Sequence, residues 1–239
     1  MHPVAIFRFS PTEGPGRLAD WLDDHDVARR LIALDEGEAV PADARAFSGL
    51  ALMGGPMSAN DDLPWTEPLL GLLRGAVAAD VPVLGHCLGG QLLAKALGAE
   101  VMRTPRPEIG WGEVSVTEAT EARAWFGNRG SFTTFQWHYE VFGLPRGATR
   151  VLTNHGNPEQ AYARGKHIGF QSHIEMTRAM VETWCRTGAA ELPTSTVGAT
   201  QSRSDILADI DARLAALARV ADDVYARWAR GLVRDESRS

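Results

Sequence analysis

The sequence predicts an α/β fold of three layers: an open, mostly parallel sheet with helices on both faces, extra antiparallel strands and a long C-terminal helix. Three observations predict it. In the first half, short apolar runs alternate with segments of helical period, the rhythm of a parallel sheet covered on both sides. The middle, about 110–175, is richer in β-formers. Near the end, Ile206, Ile210, Leu214, Leu217, Ala221, Val224 and Trp228 step by four or three. The chain has 239 residues, 44% of them hydrophobic, enough for a core of that size. No repeat or boundary divides it, so one domain over 1–239 is expected, with a core of about 3–185 and a terminal helix of about 204–232.

The elements follow in order. PVAIFRF, residues 3–9, reads as the first strand, and GRLADWLDDHD as a helix with Leu18, Trp21 and Leu22 on one face. VARRLIAL reads as a second strand, although a helix fits it too. SGLALM, residues 48–53, is a buried strand that runs into Gly54-Gly55-Pro56. Residues 66–79 are helical, with Leu69, Leu70, Leu73 and Val77 inward. VPVLGH is another short strand, and QLLAKAL is a helix closed by Gly98. EVSVT, SFTTFQW, TRVLTN, QAYAR and HIGFQSHI add strands, and 176–187 add a helix. GAAELPTSTVGATQS is a loop. Ser204 is placed to cap the final helix. Its apolar stripe is expected to pack on the chain's own sheet, with a homo-oligomer interface as the alternative. The charged tail after Leu232 is expected to fray.

Charge and composition exclude several classes. Twenty-four Lys and Arg against 30 Asp and Glu leave a net charge of −6, which offers no electrostatic reason to bind nucleic acid. No run has the length of a membrane span, and MHPVAIFRFSPTEG lacks the plan of a signal peptide. A cytoplasmic protein is expected, with no membrane association. The two cysteines, Cys87 and Cys185, do not make a disulfide framework. The seven histidines show no metal-binding spacing, and no phosphate-binding loop is present, so neither a metal nor a cofactor is expected.

The informative stretch is VPVLGHCLGGQLLAKALG, residues 81–98. Gly85-His86-Cys87-Leu88-Gly89 has the form glycine, any residue, nucleophile, any residue, glycine between a strand and a helix. That is the pattern of a nucleophile elbow. The glycines keep side chains out of a crowded corner, and the nucleophile stands at the carboxyl end of the sheet. The following helix directs its N-terminus there and favours thiolate over thiol. A free cysteine has a pKa of about 8.5, so this help matters at neutral pH. The plain alternative is a small buried cysteine beside a tight turn.

A base and an oxyanion hole decide between the two. In GFQSHIEMT, His173 and Glu175 stand two apart at the end of a predicted strand and would project to one face. The histidine can take the thiol proton while the carboxylate orients the ring. Met53-Gly54-Gly55-Pro56-Met57-Ser58 can aim a bare backbone N–H at a developing oxyanion, with the N–H of Leu88 as second donor. Cys185, in AMVETWCRT, reads as structural, and His86 as a residue filling space behind the elbow, with tuning of the thiolate as the alternative.

The glycine loop GGPMS, the elbow GHCLGGQ and the late GFQSHIE together resemble the class I, or triad, glutamine amidotransferase family. The similarity covers roughly residues 3–185. It is nearest to the free-standing group like the amidotransferase domain of GMP synthase, to which FQWHYEVFGLP also fits. The resemblance implies a flavodoxin-like fold and hydrolysis of the glutamine side-chain amide through a γ-glutamyl thioester. It implies Cys87 as nucleophile, His173 as base and Glu175 as its orienting acid. Gly55 and Leu88 would supply the oxyanion donors, with Gly54 a near alternative. Gln91 matches a position that helps hold glutamine. Trp137, His138 and Tyr139 would contact the substrate's amino-acid end mainly through backbone, and Glu140 would pair with its ammonium. Three positions depart from the family: the usual H-P-E is His-Ile-Glu here, Ser172 precedes it, and His86 stands before the cysteine where the family more often has an aliphatic residue.

No segment resembles the nucleotide-binding synthase half of GMP synthase. The first expectation is therefore an amidotransferase that releases ammonia for an acceptor on a separate synthase. The second is a stand-alone γ-glutamyl hydrolase, as the plant γ-glutamyl peptidases of this free-standing group are. A non-catalytic regulatory module is the third, and an intact Cys87, His173 and Glu175 argue against it.

Overall fold

The computed structural model describes residues 2–233, so the charged tail beyond 233 lies outside the described residues. In the first half, β1 (Val4–Arg8), α1 (Gly16–Asp24), β2 (Arg29–Ala33), β3 (Gly49–Leu52), α2 (Thr66–Ala78), β4 (Val83–His86) and α3 (Leu88–Ala96) alternate as expected except between β2 and β3, which only short 3-10 turns separate. VARRLIAL forms a strand, not a helix. It lies at the sheet edge, which is why Arg29, Arg30 and Leu31 are exposed while Ile32 and Ala33 are buried. The second half contributes β5 (Val101–Val116), α4 (Thr120–Phe126), β6 (Ser131–Phe142), β7 (Thr149–Thr153), β8 (Ala161–Arg164), β9 (His167–Phe170), α5 (Arg178–Thr187), α6 (Arg203–Leu207) and α7 (Ile210–Ala229).

The strands form one sheet in the order β2-β1-β3-β4-β9-β8-β7-β5-β6. The first five are parallel. Their order is the 2-1-3-4-5 arrangement of flavodoxin-like sheets, which place ligands beyond the carboxyl ends of the strands. The rest pair antiparallel, and β5 with β6 forms a long ribbon broken by an irregularity between Arg103 and Glu108.

Alternation along each central strand divides the apolar residues between two cores. Val4, Ile6, Ala51 and Leu84 face α1, α4 and α7, while Ala5, Phe7, Leu50, Leu52 and Val83 face α2 and α3. Continuous burial on both faces is what the unbroken apolar runs encode. No helix among the described residues is long and apolar enough to cross a membrane.

Two boundaries differ from expectation. The final stripe is broken. Ser202, not Ser204, caps α6 by accepting from the Asp205 N–H, and Asp209 at φ +51° separates α6 from α7. Helix α3 begins at Leu88, three residues before Gln91, because close packing on the sheet holds its glycines helical. The stripe of α7 covers its own sheet, packing against α1, α4 and β6.

Candidate active site

Four strand ends converge at one edge of the parallel sheet. The loop 9–15 follows β1, the loop 53–58 follows β3, Cys87 follows β4, and residues 171–176 follow β9. Cys87 stands between strand and helix at φ +48° and ψ −108°, a conformation a non-glycine residue rarely adopts. Its N–H donates to the Phe170 carbonyl at 2.9 Å, and the Gly89 N–H donates to the Met53 carbonyl at 3.1 Å. These bonds tie the elbow to β9 and β3.

The glycines have steric reasons. A Cβ on Gly85 would lie 2.5 Å from the Gly89 carbonyl and 2.6 Å from the Gly90 nitrogen. One on Gly89 would collide with the Leu52 carbonyl, and one on Gly90 with that of Phe170. Bare backbone at these positions lets the first turn of α3 sit against three strands at once.

His173 and Glu175 do come together, but not on a strand. Strand β9 ends at Phe170, and the following segment is irregular, held by a bond from the His173 N–H to the Phe135 carbonyl of β6 at 2.8 Å. Within it His173 Nδ1 lies 2.7 Å from Glu175 Oε1, and both side chains are buried. The His173 ring meets Trp184 edge-on, with centroids 4.8 Å apart. Gln171 Nε2 lies 3.8 Å from Cys87 Sγ.

Electrostatics at this pair follow from its surroundings. Burial opposes charge on His173, but the Glu175 carboxylate and the Cys87 sulfur outweigh it and raise its pKa well above the ordinary histidine value. Burial alone would raise Glu175. The neighbouring His86 and His173, and the hydrogen bond from His173, instead hold it below the usual carboxylate value. His86 is fully buried with Nε2 3.7 Å from Glu175 Oε2, and neither ring nitrogen has a hydrogen-bond partner. Burial pushes its pKa down, against the opposing pull of the Glu175 carboxylate.

Cys87 opens onto a cavity of about 560 Å³, within the ~300–1,000 Å³ range of small-molecule sites. Gly55 lines it beside the cysteine. No hydrogen bond from the backbone N–H of Gly54, Gly55 or Leu88 is made within the described residues, so these donors remain free. Gln91 lines the cavity and donates from Nε2 to the Glu140 carbonyl at 3.0 Å. The Glu140 carboxylate accepts from Ser58 Oγ at 2.8 Å. The Trp137 carbonyl lies 3.9 Å from Cys87 Sγ. Trp137 Nε1 and Tyr139 Oη both donate to Glu191, at 2.9 Å each. His138 takes another course: its ring engages Glu108 at 3.1 Å in a buried polar cluster, leaving its backbone to border the cavity.

Several lining residues escaped sequence reading: Glu13, Arg103, Trp184 and Glu191. Glu13 alone carried a usable signal, since it follows the first strand on the side where open α/β sheets hold ligands. Cys185 is fully buried, and its thiol pKa is raised by burial, in keeping with a structural role.

Comparison with known proteins agrees with this architecture. The family model for glutamine amidotransferase class-I matches residues 25–182. A glutamine amidotransferase-like protein of Salmonella typhimurium is 34% identical over 177 residues, 71% of this chain and 74% of that one. A glutamine-hydrolysing GMP synthase of Aeropyrum pernix is 36% identical over 155 residues, which are 62% of this chain but only 28% of the synthase. The crystal structure of a glutamine amido transferase from Methylobacillus flagellatus superposes with a TM-score of 0.97 at 45% identity, covering 100% of this chain and 98% of that one. The chain belongs to the class-I glutamine amidotransferase family.

Proposed function

We propose that this chain hydrolyses the side-chain amide of glutamine with Cys87 as nucleophile, His173 as base and Glu175 as the orienting acid. The observation that carries this reading is the buried His173–Glu175 pair at 2.7 Å, set beside a cysteine on a strained elbow. The Cys87 thiol gives its proton to His173 and the sulfur attacks the amide carbonyl. The tetrahedral oxyanion is held by the free N–H groups of Leu88 and Gly55, with Gly54 alongside. Collapse breaks the carbon–nitrogen bond. The amide nitrogen takes the proton from His173 and leaves as ammonia, and a γ-glutamyl thioester remains on Cys87. His173 then draws a proton from water, which displaces the thiolate and releases glutamate.

Gln91 and Glu140 hold the amino-acid end of the substrate, with Glu140 facing its ammonium. Trp137 and Tyr139 form an aromatic wall fixed by Glu191, and His138 contributes backbone. Ammonia passes to an acceptor on a separate synthase. The cavity volume of about 560 Å³ also favours a second reading, a γ-glutamyl compound with a larger leaving group. Glutamate release by the purified chain and by Cys87→Ala, offered glutamine and a γ-glutamyl dipeptide, tests both. The variant is expected to lose all turnover while keeping its fold. Faster turnover of the dipeptide selects the second reading, and undiminished turnover in the variant refutes both.

A further inference from the structure

The loop after β1 holds a carboxylate that the triad does not use. Two bonds fasten this loop beside the triad and a third closes it on itself. The Arg17 N–H donates to the Glu175 carbonyl at 2.8 Å, Trp184 Nε1 donates to the Thr12 carbonyl at 2.8 Å, and the Glu13 N–H closes a turn onto the Ser10 carbonyl at 3.1 Å. Gly16, at φ +46°, passes directly against the Glu175 carbonyl.

Glu13 projects from this loop into the space between the β3 loop and His173. A Cβ built on Gly54 would touch the Glu13 carboxylate and lie 2.9 Å from Cε1 of His173. One added carbon would thus contact both groups. The bare backbone at Gly54 is what lets carboxylate and imidazole share the corner. The Glu13 carboxylate makes no hydrogen bond or ion pair among the described residues, although it lines the Cys87 cavity.

We propose that Glu13 is a positioning residue, a second carboxylate that faces the Cε1 edge of His173 and favours the positively charged form of its ring. This rests on the assignment of His173 as the base. An imidazolium between two carboxylates, Glu175 at Nδ1 and Glu13 at Cε1, keeps the proton that ammonia must take as it leaves. The charged groups acting on Glu13 are His173 and Glu175. Burial raises its pKa to about 7, with His173 lowering it and Glu175 raising it. Glu140, Glu191 and Arg103 line the same cavity. Glu13 therefore carries its charge above about pH 7, over the range in which His173 would otherwise give up its proton.

The test reads His173 itself. The Cε1–H resonance of His173 is followed by NMR across pH in the full chain, in wild type, Glu13→Gln, Glu13→Ala and Glu13→Asp. Both neutral variants are expected to lower the titration midpoint by about one unit or more, a tenfold loss of proton affinity, while Glu13→Asp retains most of it. The alkaline limb of the kcat profile should move the same way. A midpoint unmoved in Glu13→Gln overturns the inference, as does a shift in Glu13→Ala alone, which would mark packing and not charge. Turnover surviving Cys87→Ala would instead overturn the assigned chemistry and leave the His173 titration to be read by itself.

Discussion

Alanine at Gly85 should damage both fold and site, and the size of the effect follows from the elbow. The added Cβ would stand 2.5 Å from the Gly89 carbonyl and 2.6 Å from the Gly90 nitrogen. All these atoms are backbone of the first turn of α3, so no flexible side chain can yield. Relief requires α3 to move off β4, against its bonds to Met53 and to β9. Overpacking of this kind costs about 1–3 kcal/mol, and a rigid obstacle puts Gly85→Ala at the upper end. For a chain of this length each kcal/mol lowers Tm by about 2–4 °C, so a fall of about 6–12 °C is expected. Gly75→Ala supplies the contrast. Gly75 lies inside α2 with no atom within 4 Å of its Cβ position. The same substitution there should stabilise by about 0.5–1 kcal/mol through helix propensity. Thermal unfolding followed by circular dichroism measures both, and iodoacetamide alkylation of Cys87 reports displacement of the thiol. Equal Tm values for the two variants, or wild-type alkylation in Gly85→Ala, would refute the steric account.

Other predictions follow from the same geometry. Glu175→Gln leaves His173 without its charged partner, and kcat should fall by roughly 10⁴-fold, as in a triad whose acid becomes an amide; retention of a tenth of wild-type kcat counts against its role. Tyr162 donates from a fully buried hydroxyl to the Gly90 carbonyl at 2.9 Å. Tyr162→Phe should therefore cost about 0.5–1.5 kcal/mol in chemical denaturation, and a cost near zero would show the bond to be idle. Glu13 should make stability depend on pH. Its folded pKa of about 7 lies above the ordinary glutamate value of 4.5, so between the two the native state holds a proton that the unfolded chain has lost. Stability should decline as pH rises from about 4.5 through about 7, and Glu13→Gln should flatten that decline in denaturation midpoints.

Much of this could be read from residues alone because each signal had a local cause. Buried parallel strands need unbroken apolar runs, so β1, β3 and β4 were legible at Val4–Arg8, Gly49–Leu52 and Val83–His86. The elbow was legible because three backbones meet there and only glycine fits. What escaped depends on contacts distant in sequence. His173 and Glu175 lie past the end of β9, and what places them is the Phe135 carbonyl of β6, not strand alternation. The break at Asp209 lies within an apolar period that continues across it. The course of His138 is set by Glu108 on the paired strand β5. Glu13 carries only its place after the first strand as a signal, and its role needs Gly54 and His173 placed around it.

The central claim, that Cys87 is the nucleophile, is tested most directly by 6-diazo-5-oxo-norleucine, a glutamine-like electrophile. Peptide mass mapping of the treated chain should find one 5-oxo-norleucine thioether, formed with loss of dinitrogen, on Cys87, with Cys185 unmodified in its fully buried position. An adduct confined to Cys185, or labelling of Cys87→Ala equal to that of the wild type, would contradict it.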